Sequence, residues 1–225
     1  MHESIKFQHY IFTRFNYPDT YEHTEERIKI FRDYTLPSVL GQTDNNFKWL
    51  ITVNPNQDHL FDFIDDDRVK LINSKNEVGS NFVQYIKNDF DSEYLITTRL
   101  DNDDLLRRDS IETKMNIFLS NPEINLIDSN GYRMDRDASK MVEFSMYQAK
   151  LNSPFSTAIK KITSEITYSD TVYSIKHGHL YQKFKNVEFI KERMWIQLIH
   201  KTNKLNKGMN GRNVSIKELA KFIKR

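Results

Sequence analysis

With 225 residues, the chain is long enough for one large domain that would bury about 70–75% of its unfolded surface. Its 38% hydrophobic residues can supply a core, and its net charge of only +2 lacks the one-sided basicity of a nucleic-acid-binding domain. The sequence contains no cysteine, which excludes disulfides, thiolate catalysis and cysteine-ligated zinc.

The sequence predicts neither a secretory signal at its N-terminus nor a membrane-spanning segment. Residues 1–6 lack the charged-then-apolar order of a signal peptide, and no run reaches the roughly 18 apolar residues of a membrane span. We therefore expect a cytoplasmic protein. From Lys183 onward basic residues outnumber acidic ones, and the sequence predicts a basic amphipathic C-terminal helix. Such a helix is either solvated or in peripheral contact with the anionic inner face of a membrane.

Strands and helices alternate over the first 130 residues. This order favours crossover units and an α/β domain with a mostly parallel central sheet flanked by helices. The predicted strands are Phe7–Thr13, Phe47–Val53, Val69–Ile72, Tyr94–Arg99 and Ile124–Ile127, and the predicted helices are Glu25–Tyr34, Asn81–Asn88 and Ser110–Leu119. Gly131 is predicted to mark a turn.

The second half of the chain has weaker periodicity. We predict strands at Met141–Met146 and Met194–His200, and helices near Phe155–Ile162 and Thr171–Phe184. Because no repeat, low-complexity segment or linker appears, we predict a single domain over residues 1–225.

An acidic run, Asp101-Asn102-Asp103-Asp104, follows the predicted strand Tyr94–Arg99 after one residue, Leu100. Like charges this close repel one another unless a cation or hydrogen-bond donors neutralise them. Hard divalent metals take carboxylate oxygens and keep positions for water and substrate phosphates. Ligands of open α/β sheets also bind at the carboxyl ends of strands. The acidic run is therefore the first candidate for a functional site.

Other phosphate and metal motifs are excluded. Asp101 and Asp103 fit the first two positions of a helix-loop-helix calcium loop, but Leu105 occupies the next and the required glycine is absent. The chain has no Gly-rich phosphate loop, and with six glycines it has no dinucleotide fingerprint. What remains is a metal that carries a diphosphate.

The segment Arg99–Asp104 resembles the Asp-x-Asp motif of GT-A-fold glycosyltransferases, which use nucleotide sugars, and Asn76–Gly79 resembles the segment that leads into this motif in glycosyltransferase family 2. Further pieces, in the same order, resemble the bacterial and viral "putative rhamnosyltransferase" family. They are Thr13–Phe15, Thr35–Val39 with Gln42-Thr43, Trp49, Ser153–Phe155, and Met194–His200 with Asn203.

The resemblance implies a single GT-A-like (Rossmann-like) domain and a Mn²⁺ or Mg²⁺ ion on Asp103. Asp101 would contact the ribose, or the metal through water, and His200 would complete the metal site. The implied nucleotide-sugar-binding residues are Thr13, Arg14, Phe15, Asn54, Asn76, Arg99, Asp101 and Asn102.

Several of these residues also have structural explanations. His200 can hydrogen-bond to the backbone at a strand end, Arg14 can pair with a surface carboxylate, and Arg99 can offset the acidic run. Asn54 stands where relatives usually have an aspartate, which weakens its nucleotide assignment.

An inverting transferase needs a carboxylate base near the attacking hydroxyl. Asp170 and Glu165 are the nearest candidates in this chain, and N-capping of a helix is the alternative role of Asp170.

The predicted function is metal-dependent transfer of a sugar from a nucleoside-diphosphate donor to a glycan acceptor. The resemblance favours inversion and dTDP- or UDP-linked rhamnose. Residues 1–130 would bind the donor and residues 131–225 the acceptor. Two alternatives stay open: a nucleotidyltransferase or phosphotransferase with two metals, and a non-catalytic carbohydrate-binding domain with an aromatic platform.

Overall fold

The computed structural model describes residues 5–15, 24–55, 57–74, 78–145, 153–201 and 208–224. Its centre is one nine-stranded sheet that takes strands from both halves of the chain. The strands are β1 Phe7–Arg14, β2 Lys48–Val53, β3 Val69–Asn73, β4 Tyr94–Arg99, β5 Leu105–Leu106, β6 Leu126–Asp135, β7 Met141–Phe144, β8 Thr157–Lys161 and β9 Val187–Ile199.

The strand order is β3-β2-β1-β4-β8-β6-β9-β5, with β7 paired to β6. The first four strands are parallel, β8 runs antiparallel between β4 and β6, and β9 is parallel to β6. From β1 the chain moves outward through β2 and β3 and then returns to place β4 on the other side of β1. This reversal opens a crevice beyond the carboxyl ends of β1 and β4, where ligands of such sheets bind.

Helices cover both faces of the sheet. They are α1 Thr24–Ile30, α2 Leu36–Leu40, α3 Val78–Asp89, α4 Ser110–Ser120 and α5 Leu180–Lys183. Alternating residues of β1 divide between two apolar clusters: Tyr10 and Phe12 pack with residues of α3, whereas Ile11 belongs to the cluster that contains residues of α4. A single π-helical turn, Phe31–Thr35, joins α1 directly to α2.

The predicted α/β architecture with a mostly parallel sheet is confirmed, and the predictions were most accurate in the first half. The predicted helix near Phe155–Ile162 is wrong. Residues 157–161 form β8, hydrogen-bonded to β4 on one side and to β6 on the other. Pairing on both edges outweighs the local preference of alanine and lysine for helix.

Two further local predictions were wrong. The predicted helix Thr171–Phe184 contains only a 3₁₀ turn at His177–His179 and the single turn of α5. Gly131 does not mark a turn but lies inside β6, beside a register shift opposite β9.

The C-terminal segment differs from the predicted basic amphipathic helix. It forms a 3₁₀ helix, Ile216–Lys221, and Leu219, Phe222 and Ile223 are buried in a cluster with β6 and β9. The apolar side chains that would enter a membrane surface are therefore used inside the fold. Within the described ranges, no helix is long and apolar enough to cross a membrane.

Candidate functional site

The acidic run lies between β4 and β5, beyond the carboxyl end of β4. The amide of Leu100 donates to the carbonyl of Phe12 (2.9 Å), so the run begins where the pairing of β1 with β4 ends. Directly after the run, β5 pairs antiparallel with β9. This pairing brings the end of β9, with His200 just beyond it, next to the run.

Asp103 and His200 form a buried pair. His200 Nε2 lies 2.8 Å from Asp103 Oδ2, and the two residues are only 8% and 7% exposed. Two neighbouring ligands of an octahedral ion with bonds of about 2.1 Å are separated by roughly 3 Å. The 2.8 Å separation is that of a hydrogen bond between the two side chains, and it is also close to the spacing of adjacent ligands, so the two atoms fit one divalent cation in place of the shared hydrogen.

Asp104 has a different environment from its neighbour. Its Oδ1 accepts a hydrogen bond from the amide of Leu198 (2.8 Å), and only 2% of the residue is exposed. Burial, followed by the charges of Asp103 and Asp101, raises the pKa of Asp104 well above its usual value. Asp104 therefore anchors the run to β9, and burial disfavours its charged form.

Asp101 is the most exposed carboxylate of the run. Its Oδ1 accepts a hydrogen bond from Arg99 Nη2 (3.2 Å), and about a third of its side chain is exposed. The guanidinium of Arg99 also lies over the ring of Tyr173, 5.3 Å from its centroid. Arg99 thus offsets the charge of Asp101, and the two side chains lie together at the crevice.

Sequence reasoning missed Arg27, which lies in α1. Arg27 Nη1 donates to Asn102 Oδ1 (3.1 Å) and lies 3.8 Å from Asp103 Oδ2. The carboxamide of Asn102 also donates to the carbonyl of Arg14 (2.8 Å), and the Asn102 carbonyl accepts from Thr35 Oγ1 (3.1 Å). The only sequence signal was an arginine in a helix that precedes an acidic run, which is too common to be informative.

The protein thus relieves the repulsion within the run by different means for each carboxylate. Asp103 faces Arg27 and His200, Asp101 pairs with Arg99, and burial disfavours the charged form of Asp104. Among the residues that the structure describes, no three His, Asp or Glu side chains converge as a metal cluster. A metal here would rest on Asp103 and His200, with its other positions open to water and phosphate oxygens.

The predicted nucleotide-binding residues after β1 have mixed surroundings. Thr13 is buried and its Oγ1 accepts from Trp49 Nε1 (2.9 Å), and Phe15 packs edge-on against Phe31 and Phe61. Both side chains therefore pack inside the protein beside the crevice.

Arg14 lies nearer to the open crevice. Burial raises the pKa of Tyr168, while the positive charges of Arg14 and Arg99 act to lower it. The two arginines therefore lie near one tyrosine at the carboxyl ends of β1 and β4. Asn54, directly after β2, donates from Nδ2 to Gln57 Oε1 (3.2 Å), and the predicted Asn76 lies outside the described residues.

The two predicted base residues lie in different places. Glu165 forms an exposed ion pair with Lys87 (2.5 Å), near the end of α3. The neighbouring Asp89 pairs with Lys48, the first residue of β2. Glu165 is therefore toward the opposite edge of the sheet from the acidic run, and the structure does not bring it to the site.

Asp170 closes a capping box. Its Oδ2 accepts from the amide and the hydroxyl of Thr167, each at 2.8 Å. Nearby, the ring of Tyr168 packs against Gly79, where an added Cβ would lie 2.1 Å from a ring carbon. Since α3 begins at the carboxyl edge of the sheet, Asp170 lies on the side of the acidic run. The N-cap of the box is Thr167 and Asp170 is its third helical residue, so Asp170 does not N-cap a helix from Thr171 as the sequence suggested.

Comparison with known proteins identifies the family and the fold of the chain. A profile of the family described as "Putative rhamnosyl transferase" matches residues 12–212, whereas no curated protein matches the chain in sequence. The mannosyltransferase PcManGT from Pyrobaculum calidifontis, solved with GDP-Man and Mn²⁺, superposes with a TM-score of 0.53 at 8% identity, over 89% of this chain and 59% of its own.

Two other solved structures have a similar fold. TarS of S. aureus superposes with a TM-score of 0.51 at 7% identity, over 85% of this chain and 37% of its own. A cytidylyltransferase from Leptospira borgpetersenii gives 0.50 at 13% identity, over 85% of this chain and 78% of its own. Identities this low establish likeness of fold alone.

This chain spans 59% of the mannosyltransferase and 37% of TarS. What those longer proteins bind therefore carries no conclusion for this chain by itself. The family profile is different, because it covers most of the chain and includes the acidic run and His200. The chain, with its GT-A-like fold, belongs to the family described as "Putative rhamnosyl transferase".

Proposed function

We propose that the protein is a metal-dependent glycosyltransferase that moves a sugar from a nucleoside-diphosphate donor to a hydroxyl of a glycan acceptor. The observation that carries this proposal is the buried pair of Asp103 Oδ2 and His200 Nε2, 2.8 Å apart, at the carboxyl edge of a parallel sheet. The family described as "Putative rhamnosyl transferase" supports the reaction class, and rhamnose is the proposed sugar.

Asp103 and His200 would hold Mn²⁺ or Mg²⁺, which, when bound, neutralises charge that develops on the leaving diphosphate. The mannosyltransferase from Pyrobaculum calidifontis, solved with GDP-Man and Mn²⁺, supports a divalent ion in this fold. Asp101 and Arg99 would face the ribose and the phosphates, because they are the more accessible pair at the crevice.

In the proposed reaction the bond from the sugar C1 to the diphosphate oxygen breaks while the acceptor oxygen bonds to C1 from the opposite face, which inverts that carbon. The acceptor hydroxyl loses its proton to a carboxylate base. Of the two predicted bases, we keep Asp170, since it lies on the side of the acidic run, and not Glu165. Residues 1–130 would bind the donor, and residues 131–225 would bind the acceptor.

Slow donor hydrolysis in the presence of Mn²⁺, measured over a panel that includes dTDP- and UDP-linked sugars, tests the proposal. We expect Asp103→Asn to lower the rate by 100-fold or more, because it removes an anionic ligand. The matched control is Asp104→Asn, which keeps an oxygen acceptor for the Leu198 amide and should retain most activity.

The proposed base is tested separately. Asp170→Asn keeps an oxygen acceptor for the Thr167 amide and removes the carboxylate, so transfer to an acceptor should fall about 100-fold or more.

The outcomes of this experiment also separate the alternatives. Release of pyrophosphate from a nucleoside triphosphate would indicate a nucleotidyltransferase, and glycan binding without donor hydrolysis would indicate a carbohydrate-binding domain. Wild-type protein with neither donor hydrolysis nor a donor-dependent thermal shift would refute the transferase proposal. Full activity of Asp103→Asn would refute the metal role.

A further inference from the structure

We infer that Arg27 is a positioning residue that, through Asn102, holds Asp103 ready to bind a divalent cation. The inference rests on the proposed function, since it concerns the same metal site. It adds a residue from α1, a helix that contributes none of the predicted ligands.

The geometry joins three elements at one buried point. The guanidinium of Arg27 contacts Asn102 Oδ1 at 3.1 Å and lies 3.8 Å from Asp103 Oδ2. Asn102 is only 3% exposed, and its Nδ2 donates to the carbonyl of Arg14 at the end of β1. The link therefore runs from α1 through the acidic run to the crevice between β1 and β4.

Neutralisation of Asp103 is only part of what Arg27 does in this arrangement. At 3.8 Å, Arg27 is farther from the Asp103 carboxylate than His200, which lies at 2.8 Å, whereas its Nη1 donates a hydrogen bond to the uncharged Asn102 at 3.1 Å. A guanidinium that holds the neighbouring side chain restricts the backbone of the run and the direction of the Asp103 carboxylate.

The direct test is a double-mutant cycle with Arg27→Met and Asn102→Ala. Mn²⁺ binding is measured by electron paramagnetic resonance of the free ion, and the Mn²⁺ concentration for half-maximal donor hydrolysis is measured alongside. Each single change should weaken Mn²⁺ binding about 10–100-fold, as expected when a residue that orients a metal ligand is removed. Because Arg27 acts through Asn102, the double variant should bind Mn²⁺ no more weakly than the single variant with the larger loss.

Two further variants test whether the effect on Mn²⁺ binding is specific to the Arg27 side chain. Arg32→Met removes an exposed arginine of the same continuous helix, one that pairs with Asp33, and should leave Mn²⁺ binding unchanged. Arg27→Lys keeps a charged donor and should restore part of the lost binding. Thermal unfolding of every variant identifies changes that only destabilise the fold.

Four outcomes would overturn the inference. If Arg27→Met binds Mn²⁺ as tightly as the wild-type protein but has a lowered Tm, Arg27 only stabilises the fold. Multiplicative losses in the double variant would mean that Arg27 does not act through Asn102. If the wild-type protein neither binds Mn²⁺ nor hydrolyses a donor, the proposed function fails together with the inference, whereas an active wild type with unaffected variants overturns the inference alone.

Discussion

At the scale of single residues, the acidic run shows how environment separates side chains of one type. The sequence suggested that repulsion among Asp101, Asp103 and Asp104 demands a cation. In the folded protein Arg99, Arg27 and His200 lie beside two of these carboxylates, and burial disfavours the charged form of the third. The case for a metal therefore rests on the geometry of Asp103 with His200 and not on repulsion.

His9 should make the stability of the protein sensitive to acid. Its Nε2 lies 2.8 Å from Thr98 Oγ1 inside the sheet, and burial, with a smaller effect of the Lys114 charge, lowers the pKa of His9 to about 3. An unfolded histidine titrates near pH 6.5, so between pH 6.5 and 3 the unfolded chain binds a proton that the folded chain does not. The free energy of unfolding must therefore fall as the pH drops through this window.

We expect His9 to contribute a loss of about 2 kcal/mol between pH 7.5 and pH 5, from 1.4 kcal/mol per pKa unit. Urea unfolding at the two pH values measures it, and His9→Gln, which does not titrate, is the comparison. The wild-type protein should lose about 2 kcal/mol more than the variant over this interval. Equal losses in both proteins would contradict the assigned pKa of His9.

At the scale of secondary-structure elements, the longest pairing, β6 with β9, was also the least predictable from sequence. Gly131 suggested a turn because glycine commonly punctuates loops. In the structure it lies beside a register shift opposite Trp195, and an added Cβ would be 2.1 Å from the indole ring. The residue is glycine because a large ring from the neighbouring strand occupies the space of its side chain.

Gly131→Ala should therefore destabilise the protein by about 1–3 kcal/mol, the usual effect of overpacking a core. For a protein of this size, the Tm should fall by roughly 2–4 °C per kcal/mol. Gly178→Ala is the control, because nothing lies within 4 Å of the position of its added Cβ. Calorimetry measures the Tm of both variants. An unchanged Tm in Gly131→Ala would mean that Trp195 can move aside at little cost in free energy.

At the scale of the whole molecule, the C-terminal segment completes a core that the sheet alone leaves open. Leu219, Phe222 and Ile223 pack with residues of β5, β6 and β9, and Tyr132 meets the ring of Phe222 edge-on at 6.2 Å. The amide of Arg108 also donates to the carbonyl of Lys221 (3.0 Å), which joins the segment to the chain just after β5. The end of the chain therefore supports the strands that position Asp103 and His200.

Phe222→Ala should lower the free energy of unfolding by about 3–5 kcal/mol, since Phe222 is fully buried. Lys224→Ala, two residues further along, changes an exposed side chain and should have little effect. Urea unfolding of both variants is the measurement. A Phe222→Ala protein as stable as the wild type would mean that the C-terminal segment does not belong to the folded core.

The sequence alone was sufficient to predict the parallel half of the sheet, to place the acidic run after a strand and to reveal the family resemblance. Each of these depends on local patterns: alternating apolar residues, a carboxylate run after a strand, and short motifs in order. Only the tertiary structure identified β8 as a strand and brought Arg27 to Asn102, and it supplied the contact between His200 and Asp103, which the resemblance had assigned to one metal site. These contacts join residues 59 to 97 positions apart, and such pairs form through sheet pairing and packing, which no local pattern encodes.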